Sequence, residues 1–245
     1  AVGDEDMMRY FLMMDKIATI FDFDKSTYGK LSKEVHEFVA AKSPSDMDTA
    51  DIREIKTMIR QAEATIACNY IGVKPDHIHF LRLPFYETGT IKKGELSQRD
   101  VDIVKKLLED VKPHQIFVAG DLADPHGTHK VCTDAVLAAI DELKDEKWMQ
   151  DCRIWMYRGA WAEWEIDHIE MAVPISPEEL RFKRNSILKH QSQMENAPFL
   201  GDDDRLFWQR AEERNRATAQ LYEGLGLASY EAFEAFVEYI PIRTE

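Results

Sequence analysis

The chain has 245 residues, a formal net charge of −14, and 44% hydrophobic and 31% charged residues. That length buries a sizeable core as one large domain or two at most. The acidity argues against nucleic acid, whose phosphates require a basic face, and against an anionic membrane surface. No run of about 18 uncharged apolar residues occurs, so no membrane span is expected.

The opening "AVGDEDMMRY" lacks the basic start and apolar middle of a signal peptide. Cys68, Cys132 and Cys152 are odd in number and show no CxxC spacing. They read as reduced, buried thiols of a cytoplasmic protein, not a disulfide framework or a thiolate metal site.

The first seventy residues are helical in pattern. "DMMRYFLMMDKIATIF" and "KSTYGKLSKEVHEFVAAK" place apolar residues near helical spacing, and "SPSDMD" makes a turn. A third helix is expected from Thr49 to Ile71, stopped by Gly72 with Pro75 beyond it. The pattern then changes. "HIHFLRLPF" is a short run rich in strand formers, and "SQRDVDIVKKLLEDVKP" is an amphipathic helix. "QIFVAG" reads as strand, "THKVCTDAVLAAIDELKDE" as helix, and "CRIWMYRG" and "HIEMAVPI" as strands. Ser176-Pro177-Glu178-Glu179 opens another helix with an N-cap, a first-turn Pro and a capping box. A last helix, "DRLFWQRAEERNRATAQLYEGLG", stops at Gly224 or Gly226. Strand–helix alternation with short turns predicts an α/β fold, a Rossmann-like, mainly parallel sheet flanked by helices. With no linker or repeat, residues 1–245 read as a single domain.

The chemistry concentrates in "GDLADPHGTHKV", residues 120–131. In open α/β sheets ligands bind beyond the carboxyl ends of the strands, and this loop follows such a strand. His129 falls at the start of the next helix and His126 on the loop. Pro125 stiffens the loop, and Gly127 permits close backbone approach. Imidazole is a good zinc ligand, and a catalytic zinc keeps three protein ligands and a water. Two histidines three apart are weak evidence alone. A solvated loop in which Asp124 caps the helix is the competing reading.

The surroundings add to this. "AGDLADPHGTHKVC" resembles the HxxH motif of the PIG-L/LmbE family of zinc-dependent N-deacetylases, and "MIRQAEATIACNYIGV" resembles its Arg-x-x-Glu helix. "WMYRGAWAEWEIDHIEMAVPISPEELRFKRNSILKHQSQ" is similar to a subgroup in which this domain follows a glucosamine-6-phosphate deaminase-like domain. The resemblance implies a PIG-L/LmbE-like fold. It also implies that His129 is a zinc ligand and that His126 sits at the substrate carbonyl, stabilising an oxyanion or donating a proton. By the same resemblance Asp124 orients His126, and Arg60 grips an anionic substituent of an amino sugar. Glu63 is expected to pair with a neighbour.

One family feature is absent. No His-Pro-Asp-Asp-like segment, which supplies the remaining ligands and the general base, occurs in the chain. "KPDHIHF" is superficially similar but comes after the Arg-x-x-Glu helix, in the wrong order. The expectation is an N-terminally truncated domain, the C-terminal part of a larger protein, with an incomplete zinc site and no activity of its own. An exposed sheet edge left by truncation would be able to pair with a second copy, so a homo-oligomer stays open. The alternative is a non-catalytic module that binds sugar phosphates or mediates assembly. Trp161 and Trp164 are expected to cover the core, His190 to be solvated, and the "GDDDR" run to compensate a helix N-terminus.

Overall fold

The computed structural model describes residues 46–86, 94–120, 127–159, 162–194 and 205–242, together with residues 37, 38, 40, 41 and 43. The chain folds as two compact units. One comprises Ala1–Arg82, Tyr86–Gly94 and Lys189–Gln193; the other comprises Leu83–Phe85, Glu95–Leu188 and Met194–Glu245.

The first unit is built on helix α1, Ala50–Tyr70. Thr49 caps it, its hydroxyl accepting the Ile52 N–H at 3.4 Å. The helix stops where expected. Gly72 adopts φ +91°, a conformation costly for a residue with a Cβ. The Val73 N–H then reaches back to the Cys68 carbonyl at 2.9 Å, using an otherwise orphaned acceptor. Ile52, Met58 and Ala67 are buried along α1, with Glu63 among them.

"HIHFLRLPF" does not form the expected strand. Residues 75–77 make a single 3-10 turn, and residues 78–83 carry no strand assignment. Arg82 sits at φ +46°, a left-handed conformation incompatible with a continuous strand. The run of strand formers here is irregular chain, with Arg82 held by Glu54.

The second unit contains helix α2 (Gln98–Val111), strand β1 (Gln115–Ala119), helix α3 (Thr128–Leu143), and strands β2 (Arg153–Tyr157) and β3 (Met171–Ile175). Helix α4 (Pro177–Leu188), the short α5 (Gln191–Met194, shared between the units), helix α6 (Phe207–Gly224) and strand β4 (Ala232–Tyr239) follow. The sheet order is β1-β2-β4-β3. β1 and β2 are parallel, Phe117 standing opposite Trp155, and α3 supplies the crossover that a parallel pair requires. β4 enters antiparallel between β2 and β3. The α/β class therefore holds, but among the described strands only one of three pairings is parallel. β4 is responsible, and the sequence reading ended at Gly226, before it. Pro174 in β3 has no N–H to give a ladder, which suits the end of the sheet where it lies.

Helix α3 packs against α2 and β1, and α6 lies along β4. Ala135, Ala139, Ile140 and Leu143 of α3 are fully or almost fully buried, as are Ile154 of β2, Leu180 of α4 and Ala235 of β4. Small residues at 135, 139 and 235 let the layers approach closely. The capping box at Ser176 forms as expected: its N–H donates to Glu179 Oε2 at 2.8 Å, and the Glu179 N–H donates to the Ser176 hydroxyl at 3.2 Å. At the start of α6 the Gln209 side chain accepts the Leu206 N–H at 2.7 Å; Asp202, Asp203 and Asp204 lie outside the described residues.

A second cap carries more structural weight. Asp100, fully buried, accepts the N–H and the hydroxyl of Ser97 at 2.9 and 2.6 Å and the N–H of Phe85 at 2.9 Å. Burial pushes its carboxyl up, but these bonds outweigh that and leave it below the ordinary 3.8. Asp100→Asn turns one acceptor into a donor facing donors. It is expected to cost about 1–3 kcal/mol in denaturant unfolding. Because the folded carboxyl titrates below its unfolded value, its stabilisation is present above pH 3.8 and is lost as pH falls through the lower folded value. That acid-dependent component should vanish in Asp100→Asn.

Candidate functional site

The carboxyl end of β1 is fixed on both sides of the loop that follows it. On the strand side, the Gly120 N–H donates to the Tyr157 carbonyl at 2.7 Å, extending the parallel pairing by one residue. A Cβ on Gly120 would meet Trp164 Cζ2 at 2.8 Å and Met156 Cβ at 2.9 Å. Trp164 is itself held: its indole N–H donates to the Met156 carbonyl at 3.2 Å, and the Arg158 guanidinium lies 4.8 Å from its ring centroid. On the helix side, Gly127 is the N-cap of α3 at φ +67°, and its carbonyl accepts the Val131 N–H at 3.2 Å. The hydroxyl of Thr133, a buried residue, donates back to the Ala119 carbonyl and ties the first turns of α3 to the end of β1.

His129 is the second residue of α3 and is exposed. The expected place for this side chain, in the first turn after the loop beyond β1, is the place it occupies. Asp124 and His126 lie outside the described residues, as does Trp161. Among the described residues no group of three His, Cys, Asp or Glu side chains comes together to hold a metal. The described residues therefore do not by themselves make a zinc centre. Cys152 is buried, which pushes its thiol up; Cys68 and Cys132 are half-buried.

In the first unit, Arg60 is exposed on α1 and donates from Nη1 to the Tyr86 hydroxyl at 3.1 Å. Beside it, Arg82 grips Glu54 with two bonds of 2.9 and 3.2 Å and reaches Gln61 at 3.4 Å. Arg82 comes from the segment expected to be a strand and Tyr86 follows that segment directly, and no local pattern in the sequence announces their meeting with α1. Glu63, three residues on from Arg60, points the other way in chemical terms. It is fully buried and accepts the Ser192 N–H at 2.8 Å and the Ser192 hydroxyl at 2.6 Å. It pairs with a neighbour, as expected. His190, expected in solvent, is instead half-buried and feels the charge of Glu63.

These features define an α/β protein whose candidate site lies at the carboxyl end of a parallel strand pair. Residues 28–140 match the family model described as PIG-L: GlcNAc-PI de-N-acetylase. A glucosamine-6-phosphate deaminase-like protein of Bacteroides thetaiotaomicron is 62% identical over 99% of this chain and 37% of its own length. The chain thus spans a little over a third of that relative. Among solved structures, GalB, the 4-carboxy-2-hydroxymuconate hydratase from Pseudomonas putida KT2440, aligns over 82% of this chain and 78% of its own with 13% identity and a TM-score of 0.53. The N,N'-diacetylchitobiose deacetylase from Pyrococcus horikoshii aligns over 80% and 67% with 16% identity and a TM-score of 0.48. The likeness to GalB shows a shared fold; a fold shared with a hydratase does not itself select a reaction. No described helix is long and apolar enough to cross a membrane.

Gly120→Ala places a methyl group against two side chains and is expected to destabilise the chain by about 1–3 kcal/mol, as overpacking does. Its tryptophan emission should shift as Trp164 is displaced; unchanged stability and emission would remove Gly120 from this account. The second expectation concerns pH. Burial holds His190 below its ordinary 6.5, with Glu63 opposing. Above pH 6.5 the ring is neutral folded and unfolded. As pH falls below 6.5 the unfolded chain takes up the proton first, and stability declines toward the lower folded value. His190→Leu should flatten the unfolding free energy between pH 6.5 and the onset of carboxylate titration.

Proposed function

We propose that this domain serves an amide hydrolase acting on an N-acylated amino sugar or its phosphate, with His129 as one ligand of a zinc ion. The observation that carries the reading is the position of His129 in the first turn of α3, at the end of β1 and inside the matched span 28–140. The name of the matched family and that of the Pyrococcus deacetylase support removal of an N-acyl group. The name of the Bacteroides relative supports an amino-sugar phosphate as substrate. When bound at such a position, zinc acidifies water and polarises a carbonyl.

The chain's own residues do the rest. His126 hydrogen-bonds the acyl oxygen as charge develops there, and Asp124 keeps that imidazole in one tautomer and orientation. Arg60 offers its guanidinium to an anionic substituent; its bond to the neutral Tyr86 hydroxyl leaves its charge uncompensated by that partner. The partner molecule is a small amino sugar, the compartment the cytoplasm, and self-association through a sheet edge a further possibility of the same reading. Aldose–ketose isomerisation with deamination belongs, on this reading, to the remainder of the relative's length.

The test is zinc titration by calorimetry with metal analysis, on the full 245-residue chain and on His129→Ala. Loss of a residue that merely orients a ligand weakens zinc about 10–100-fold, so loss of His129 should weaken it at least about tenfold. Equal zinc affinity in the two proteins would remove His129 from the metal. Because the chain contains no His-Pro-Asp-Asp-like segment, added zinc is expected to release no acetate from N-acetylglucosamine or its 6-phosphate. Turnover by this chain would show that its chemistry does not need that segment.

A further inference from the structure

Residues 162–165, beyond the end of β2, carry an acid that none of the machinery assigned above uses. The Glu163 side chain is only 16% exposed. It lies against α6, with the Thr218 hydroxyl 3.3 Å and Arg214 Nη1 3.4 Å from its Oε2. Its other oxygen, Oε1, accepts the N–H of Trp164 at 2.9 Å, and the Trp164 ring stands where a Gly120 side chain would be. Arg214 Nη1 also donates to the Arg158 carbonyl at 2.5 Å. Glu163 and Arg214 together tie the chain after β2 to α6.

A buried carboxylate needs donors in place of its water, and Oε2 of Glu163 is poorly served. The Thr218 hydroxyl has one proton and two acceptors in reach, the Arg214 carbonyl at 3.0 Å and Glu163 at 3.3 Å. The carbonyl is the nearer. Arg214 donates to the Arg158 carbonyl and to Glu234; its 3.4 Å approach to Glu163 is an ion-pair contact, not one of these hydrogen bonds. Glu234, in contrast, accepts from Lys183, Arg214 and Asn215. The groups that face Glu163 are Arg214, Thr218 and Tyr222 of α6, Glu234 of β4 and Lys183 of α4. Two acids thus share Arg214, and their repulsion falls on the one with fewer donors. Burial pushes the Glu163 carboxyl above its ordinary 4.5 and Glu234 adds to this, while Arg214, the Trp164 N–H and Thr218 oppose it. Burial raises Glu234 as well, but Arg214 and Lys183 bring it below 4.5.

We propose that Glu163 is a proton-operated latch: with a proton on Oε2 it fastens the chain after β2 to α6, and without that proton this chain, Trp164 included, loosens from the end of β1. In the fastened form the Oε2–H, taken up from water, donates to the Thr218 hydroxyl oxygen. Thr218 keeps its own proton on the Arg214 carbonyl, and the Trp164 N–H stays on Oε1. Each of these groups then has a partner. When the proton returns to water, Oε2 is a buried anion with a shared donor, and moving into solvent relieves it. The sign follows from linkage. A carboxyl that holds its proton to higher pH when buried than in water favours the buried arrangement at low pH, and that preference is lost as pH rises through the buried value. The latch does not rest on the amide-hydrolase reading.

The experiment is NMR of the full chain with labelled glutamate carboxyl carbons, Glu163→Gln assigning the Glu163 signal. Beside it, hydrogen exchange is followed at the Trp164 indole N–H, which donates to the Met156 carbonyl and is assigned with Trp164→Phe. Glu163 is expected to titrate above 4.5, and the protection of the indole relative to a free indole should fall through the same pH step. Glu163→Gln, which stays neutral, should keep above that step the protection that the wild type shows below it. His190 also titrates, but it is unchanged in this variant and cannot produce the difference. If Glu163→Gln does not fold, Glu163→Asp assigns the signal and the coincidence of the two wild-type steps decides. The proposal is overturned by any of three results: a Glu163 carboxyl that titrates at or below 4.5, Trp164 protection that does not follow its titration, or weaker protection in Glu163→Gln than in the wild type above the step. The last would show that the ion pair with Arg214 holds this chain.

Discussion

The candidate site depends on the parallel pairing of β1 with β2. Parallel strands send their carboxyl ends to the same edge of a sheet, and that edge is where open α/β folds hold ligands. Here the pairing runs through Ala119 and Tyr157 and is continued by the Gly120 N–H on the Tyr157 carbonyl. Gly120 and Tyr157, at the carboxyl ends of the two strands, therefore lie side by side. Trp164 occupies the space where a Gly120 side chain would stand. The absence of a Cβ at residue 120 is thus a packing requirement. Thr133, reaching back to Ala119, sets the return. Between these two anchors the start of α3, and His129 with it, has a defined relation to the strand end.

How much of this could be read from residues alone differs from element to element. α1 was legible at both ends, because Thr49 and Gly72 act through local hydrogen bonds and local backbone conformation. The capping box at Ser176 was legible for the same reason. The place of His129 followed from an apolar run, a turn and a helical period in succession. β4 was not read, although its Phe233, Ala235 and Val237 alternate with Glu234, Phe236 and Glu238. Its insertion between β2 and β3 is a non-local choice, and strand pairing is set by partners, not by the strand's own residues. The segment around Arg82 failed in the opposite sense: strand-forming residues are present, but Arg82 takes a left-handed conformation and closes on Glu54. Propensity yields there to a bidentate ion pair with a residue 28 positions away.

The buried acids show a similar division. Asp100 and Glu63 are both fully buried carboxylates, and each accepts one hydroxyl and at least one backbone N–H. Burying a carboxylate is tolerable only when such donors replace its water. Asp100 lies three residues from Ser97, so its pairing is a local cap. Glu63 lies 129 positions from Ser192, and nothing near residue 63 indicates that partner. An Arg-x-x-Glu spacing places both residues on neighbouring turns of one helix, yet the helix divides their roles: Arg60 faces outward with Tyr86, while Glu63 is spent on holding the backbone at Ser192. The shared motif therefore does not give the two residues a shared role, since the Glu63 carboxylate already accepts backbone and hydroxyl donors at Ser192.

The same test of saturation separates the charged groups around β4. Arg153 and Glu238 satisfy each other in a two-bond pair at the sheet surface, 2.9 and 2.7 Å, and Arg184 does the same with Glu212. Such pairs hold elements together. Glu234 is different because it serves two cations at once. β4 pairs on both edges, with β2 and β3, and Asn215 of α6 also donates to its Phe233 carbonyl at 2.7 Å. Glu234 is the side chain through which the sheet gathers Lys183 of α4 and Arg214 of α6. One carboxylate thus anchors both helices to the sheet, and Glu163, 3.4 Å from Arg214, adds a second acid to the same cluster.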